Sequence, residues 1–133
     1  MIVEAAIGAA ISWLWGELAS VAESHDAKQA INDALSTSIS KSFTQFNEKY
    51  PDFSESFFDK DFLEKYVCPE VRKYLTRNEN PDIESIVSAF PDYVVLSSND
   101  QHRDEITQFF DMVMDSMKQH AVLQEIISGR QID

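Results

Sequence analysis

A single cysteine, Cys68, rules out an internal disulfide and any cysteine-rich zinc site in this 133-residue chain. It sits in Tyr66-Val67-Cys68-Pro69 among apolar neighbours, where a small buried side chain is expected rather than a reactive thiol. Glycine is almost as scarce. With only Gly8, Gly16 and Gly129, neither a P-loop nor a Rossmann glycine pattern can be written, so these residues do not form a nucleotide site of either class. Three glycines and four prolines also leave too little turn material for an all-β sandwich or barrel.

Basic residues are in short supply. Eleven Lys and Arg against 23 Asp and Glu give a net charge of −12. The acids are in excess along the whole length: four against one in residues 1–30, five against three in 31–60, six against four in 61–90, and eight against three in 91–133. No basic stripe is hidden in the average, which argues against nucleic acid or an anionic membrane surface as partner. A long hydrophobic run is missing too. Residues 5–16, AAIGAAISWLWG, are twelve uncharged residues between Glu4 and Glu17. As a helix such a run is about 18 Å long, short of the roughly 30 Å of a bilayer core. A secretory signal opens with positive charge, and here Glu4 stands in its place. A cytoplasmic protein is expected.

What is present is core material. The chain is 44% hydrophobic, with nine Phe, four Tyr and two Trp, enough to exclude intrinsic disorder at a length that suits one domain spanning residues 1–133. Residues 3–24 carry a helical pattern that is apolar on most sides, with Ile7, Ile11, Leu14, Leu18 and Val21 as its strip and Ala5, Ala6, Gly8, Ala9 and Ala10 making its first half thin. Asp26 is placed to cap a second helix over residues 27–49, whose strip runs through Ala27, Ala30/Ile31, Ala34/Leu35, Ile39, Phe43, Phe46 and Tyr50. The serines and threonines at 36–44 lower its propensity, so packing has to hold it.

Pro51 to Ser56 reads as a connector. Phe57 to Val67 reads as a short amphipathic helix stopped by Cys68-Pro69, with Pro69 opening another that holds Val71, Tyr74 and Leu75. Asn78 to Asn80 break the pattern before a short helix from Pro81 to Phe90, with Ile83, Ile86, Val87 and Phe90 inward. Tyr93 to Leu96 is expected as a buried extended link. Ser98, in capping-box spacing with Gln101, or Asp100 then caps a last helix reaching Gly129 through Ile106, Phe109/Phe110, Val113, Met117, His120/Ala121, Leu123 and Ile127. The expected fold is all-α: a single compact helical bundle of three long and two or three short helices.

Chemistry is hard to find in this pattern. His25, His102 and His120 lie in separate segments. His102 and Glu105 have the i, i+3 spacing that shares a metal in di-iron bundles, but the motif occurs once where two copies are required, and a solvated first turn is the simpler expectation. His120 beside the apolar strip reads as a partly buried structural histidine. Asp59-Lys60-Asp61 with Glu64 lacks the turn glycine and the further ligands of a calcium loop, and reads as cap and dipole partners. Gln108, Asp111 and Asp115 are expected on the outer face of the last helix. No nucleophile–base pair can be assembled from spacing, so the chain is expected to be no enzyme, to hold no cofactor or metal, and to bind no small-molecule substrate.

Three stretches carry a likeness: the apolar Ala/Gly-rich start Ile2–Leu18, the aromatic middle FTQFNEKYPDFSESFFDKDFLEKYVCPEVRKYL, and the ending FFDMVMDSMKQHAVLQEIISGRQID. Together they resemble, in style and architecture rather than by any specific motif, the helical N-terminal domains of bacterial NACHT-type NTPases, relatives of NOD-like immune receptors. The resemblance implies the front module of a multidomain antiphage protein that oligomerises after a trigger, with the nucleotide site downstream. The ending Gly129-Arg130-Gln131-Ile132-Asp133 is in keeping with a module cut from a longer chain. Such a module acts as effector, adaptor or oligomerisation element. Its expected partners are other copies of itself and the downstream NTPase domain. The candidate contact residues are Ile7, Gly8, Ile11, Trp13 and Trp15 on the first helix. Two alternatives stand beside this: membrane perturbation by the same helix after activation, and a free-standing acidic regulator that binds a basic protein or mimics DNA.

Overall fold

The computed structural model describes residues 2–22, 24–89 and 99–129. Among them there is no strand, and nearly all are helical: the fold is an all-α bundle. Helix α1 spans Ile2–Leu18 and runs through a single 3-10 turn, Ala19–Val21, towards α2, His25–Lys49. Ser24, not Asp26, caps α2, its hydroxyl accepting the amide of Ala27 at 3.0 Å. Both residue types make good caps, and the serine, two residues earlier, lengthens the helix at its start.

Helix α2 is the axis of the bundle. It packs along both α1 and α7, Asn99–Lys118, in the two most extensive helix contacts of the fold. Its inward side follows the expected strip, with Ala27, Ile31, Ala34, Leu35, Ile39, Phe43 and Phe46 buried. Ser38 and Ser42 lie buried on the same side, and their small size lets α7 come close. Their hydroxyls return to the carbonyls of Ala34 and Ser38 one turn back, and Ser116 of α7 donates to the Ser38 carbonyl at 3.3 Å. At the C-terminal end of α2, Lys49 and Tyr50 both donate to Gln108 of α7 at 2.7 Å.

The chain then departs from the expected connector. Pro51–Phe57 is a helix, α3, with the proline in its first turn, where a missing amide costs nothing. Phe53 and Phe57 of α3 join Phe43, Phe46, Phe58 and Phe109 in one aromatic core. Phe43 and Phe58 stack at 4.8 Å, and the Phe109 ring lies 5.3 Å from Phe46 and 5.0 Å from Phe57.

Cys68-Pro69 does not stop the next helix either. The turn α4, Lys60–Phe62, passes through a π-turn, Leu63–Val67, into α5, Cys68–Arg77, without a break. Pro69 has no amide to give the carbonyl four residues back, and the widened turn meets this. The amide of Cys68 donates to Leu63, five residues back. Helix α5 ends at Asn78, whose left-handed backbone (φ 54°, ψ 39°) turns the chain at the expected break.

Helix α6, Ile83–Ala89, follows, with Ile86 buried and Ile83 and Val87 half-buried against the core. Phe90, the Tyr93–Leu96 link and the Ser98 cap lie outside the described residues.

The last helix is two. After Lys118 of α7 the backbone of His120 is extended (φ −111°, ψ 116°), and α8, Ala121–Ile127, starts anew, burying Leu123 and Ile126. The Gln124 side chain donates to the Lys118 carbonyl that the break leaves exposed. Gly129, at φ 81°, donates to Ile126 and ends α8 as a glycine cap does. Among the described residues no helix is long and apolar enough to cross a membrane.

Candidate functional site

Helix α1 has two thin sides, and they do different things. Its buried edge is Val3, Ala6, Ala10, Leu14 and Leu18, all 5% exposed or less. This edge is rotated from the expected one: Leu14 and Leu18 are on it, but Ile7 and Ile11 stand half-buried at its flank. The reason is steric. Alanines at 6 and 10 bring the α1 backbone close to its neighbours, which the bulkier isoleucines would hold off.

Opposite this edge, Ala5, Gly8, Ser12 and Gly16 are exposed, spaced three to four residues apart in a single strip. A methyl group built on Gly8 or Gly16 would meet nothing within 4 Å. At 100° per residue, Trp15 and then Ile11 line one flank of this strip, whereas Ile7 falls between Leu14 and Leu18 on the core side. Trp13, about 160° from Trp15, lines the other. Both tryptophans are half-buried, and each leaves part of its ring outward. Of the five predicted residues, Gly8 therefore lies on this solvent-facing strip, Ile11, Trp13 and Trp15 stand beside it, and Ile7 turns towards the core.

The Trp13 side of this surface is a groove of about 620 Å³, floored by Ala5, Gly8, Ala9 and Ser12 and walled by Trp13 together with Lys60 and Glu64 of the α4 and π-turn segment. Arg72 of α5 lies over the Trp13 ring, 5.5 Å from its centroid, and pairs with Glu17 at 3.3 Å. Sequence reasoning missed Lys60, Glu64 and Arg72. They come from a segment some fifty residues on, and only the tertiary fold brings them to α1. The surface can hold a helix or an extended segment against small side chains and one aromatic wall.

The other candidates for chemistry resolve structurally. Cys68 is buried, and its thiol is pushed up to about 12 by desolvation and then by the nearby Glu64 carboxylate, so it stays protonated and unreactive at neutral pH. The Asp59 carboxylate caps the following turn, accepting the Phe62 amide at 3.1 Å. Glu105 is buried at 6% exposure rather than solvated as expected for a first turn, because it lies one turn before Phe109 and two before Val113 on the inward side of α7. The side chain of His102 lies outside the described residues. His120 is half-buried at the α7–α8 break. Asp111 and Asp115 are exposed as expected, whereas Gln108 is half-buried and ties α7 to α2. Among the described residues no group of three or more His, Cys, Asp or Glu could hold a metal ion. No protein-family model, curated protein or solved structure matches the chain.

Proposed function

We propose that this domain has no catalytic step of its own and acts through protein–protein contact, as the N-terminal signalling module of a NACHT-type NTPase in bacterial antiviral defence. The observation that carries this is the outward side of α1, a strip of small residues open to solvent between half-buried Trp13 on one flank and Trp15 and Ile11 on the other. Small side chains let a second backbone come close, and partly exposed tryptophans are favoured anchors at interfaces. A strip that short makes a weak contact by itself. Repeated on every copy of an assembled NTPase it becomes a strong one, which is how an oligomerisation or adaptor module gains affinity. The partners are then further copies of the chain and the NTPase domain behind it, in the cytoplasm, with no cofactor bound here.

The family half of this proposal is tested by reading the gene past the codon for Asp133. A continuing frame with a G-x-x-x-x-G-K-[ST] loop supports it, and a stop codon directly after Asp133 sinks it in favour of a small acidic binding protein. The contact half is tested by Gly8→Leu in the full-length protein. Lost assembly with an unchanged helical spectrum supports contact through α1, and unchanged assembly removes α1 from that role. Leakage of phosphatidylglycerol vesicles caused by the domain would favour membrane perturbation instead.

A further inference from the structure

Helix α6 buries a smaller share of its residues than any other described helix. Of its seven residues only Ile86 is fully buried, whereas α2 buries nine side chains and the equally short α8 buries two. Its packing partners are chiefly α7 and the π-turn, while α8 rests on α2, α5 and α7. Ile83, Val87 and Ala89 are only half-buried against the core, and its other anchors are polar and near the surface. The Asp82 amide donates to Glu70 at 2.8 Å, and the Asp82 carboxylate accepts from the amide and hydroxyl of Ser85 at 3.2 and 2.7 Å. Glu84 takes a two-bond fork from Arg103 of α7, at 2.5 and 3.0 Å, with the two side chains 64% and 37% exposed. The left-handed turn at Asn78 and the exposed residues after it separate α6 from α5, so α6 does not share α5's hydrogen-bond ladder.

We propose that α6 is a clasp: it opens and closes as a unit on an otherwise intact bundle, and the Glu84–Arg103 fork sets how often it opens. Cooperative units of low local stability are those with few buried apolar contacts and exposed hydrogen bonds, and α6 has both properties. Opening frees the Ile86 site on α7 and the π-turn. It also removes Ala89 from the wall of a cavity of about 470 Å³ that Phe62, Lys65 and Tyr66 line on the other side. Because the fork is exposed, salt controls the clasp: screening weakens the fork and leaves the buried core untouched.

Native-state hydrogen exchange on the 133-residue chain tests this, comparing the amides of Val87, Ser88 and Ala89 with those of Ile39, Phe43 and Phe46. The α6 amides are expected to exchange at least about a hundredfold faster, with little dependence on urea, while the α2 amides follow global unfolding. Glu84→Gln is expected to speed the α6 amides about two- to fivefold at low salt and much less at high salt, with α2 unchanged. Equal rates and equal urea slopes for the two sets would overturn the clasp. So would a Glu84→Gln effect of the same size on both.

Discussion

The two exposed glycines of α1 offer a direct measurement of what its outward face is for. Gly8 and Gly16 lie inside a helix, an added methyl group at either would have no neighbour within 4 Å, and neither has the positive φ that would favour glycine. Glycine in a helix interior is about 0.8–1.0 kcal/mol worse than alanine, chiefly because the unfolded chain has more freedom to lose. Gly8 should show nearly the whole effect. Gly16 should show less, being in the last turn before Leu18. The double substitution Gly8→Ala/Gly16→Ala is expected to stabilise the domain by about 1.5 kcal/mol, or raise its melting temperature by about 5 °C. Urea and thermal unfolding followed by circular dichroism give both values. A stability gain means that glycine is present here despite its cost to the fold, as a surface kept thin for a partner would require. A loss of stability in either single variant would refute the reasoning, since it would mean that the added methyl group does meet something. Gly8→Leu extends the series: it too should fold, and its larger side chain should fill the groove beside Trp13 and reduce assembly.

Phe46→Ala should cost about 3–5 kcal/mol in urea unfolding, because its ring touches Tyr50, Phe53, Phe57, Phe58 and Phe109 and no neighbour can collapse into the space. Ser24→Ala should cost about 1 kcal/mol through the lost cap on Ala27, while Asp26→Ala should cost clearly less, which separates the two capping assignments. Cys68 contributes on the alkaline side, as does Tyr74, whose phenol burial also pushes up. The folded Cys68 thiol is raised from 9.0 to about 12, so the native state keeps a proton that the unfolded state gives up, and the stabilisation present below pH 9 is lost as pH rises towards 12. Wild type should lose about 1.4 kcal/mol more than Cys68→Ala between about pH 9 and pH 10 to 10.5, measured as the difference in urea midpoints at matched slope.

Helix α2 is legible in the sequence because its strip keeps one period from Ala27 to Phe46 and its inward side is chemically distinct from its outer one. Helix α1 is legible as a helix, but not in its rotation. It is apolar nearly all round, so hydrophobicity cannot say that Ala6 and Ala10 face the core while Ile7 and Ile11 stand at the edge. Proline misleads twice in opposite ways. At Pro51 it starts a helix where the sequence suggests a connector, and at Pro69 the π-turn absorbs it where the sequence suggests a stop. The break at His120 has no glycine or proline to announce it, and the apolar period runs on through it. Of the candidate site, the α1 residues are legible from their spacing. The opposing wall of Lys60 and Glu64 is not, since no pattern within either segment refers to the other.

The two roles considered for α1, core helix and contact element, are compatible because they use different sides of one cylinder. Burial of Val3, Ala6, Ala10, Leu14 and Leu18 contributes roughly 6–9 kcal/mol at the usual value per side chain. A whole domain has only about 5–15 kcal/mol of net stability. Pulling α1 out of the bundle would therefore use up most or all of it and would expose the part of α2 that packs against α1. A signal that depended on releasing α1 would amount to unfolding the module. A signal that uses the strip through Gly8, Ser12 and Gly16 needs no release, since these residues already face solvent while Leu14 and Leu18 stay in the core. Contact in place costs the fold only what the two glycines cost the helix, about 1.5 kcal/mol. Leu14→Ala should therefore lower stability by about 2–5 kcal/mol with assembly failing only as the fold fails, whereas Gly8→Leu should separate the two.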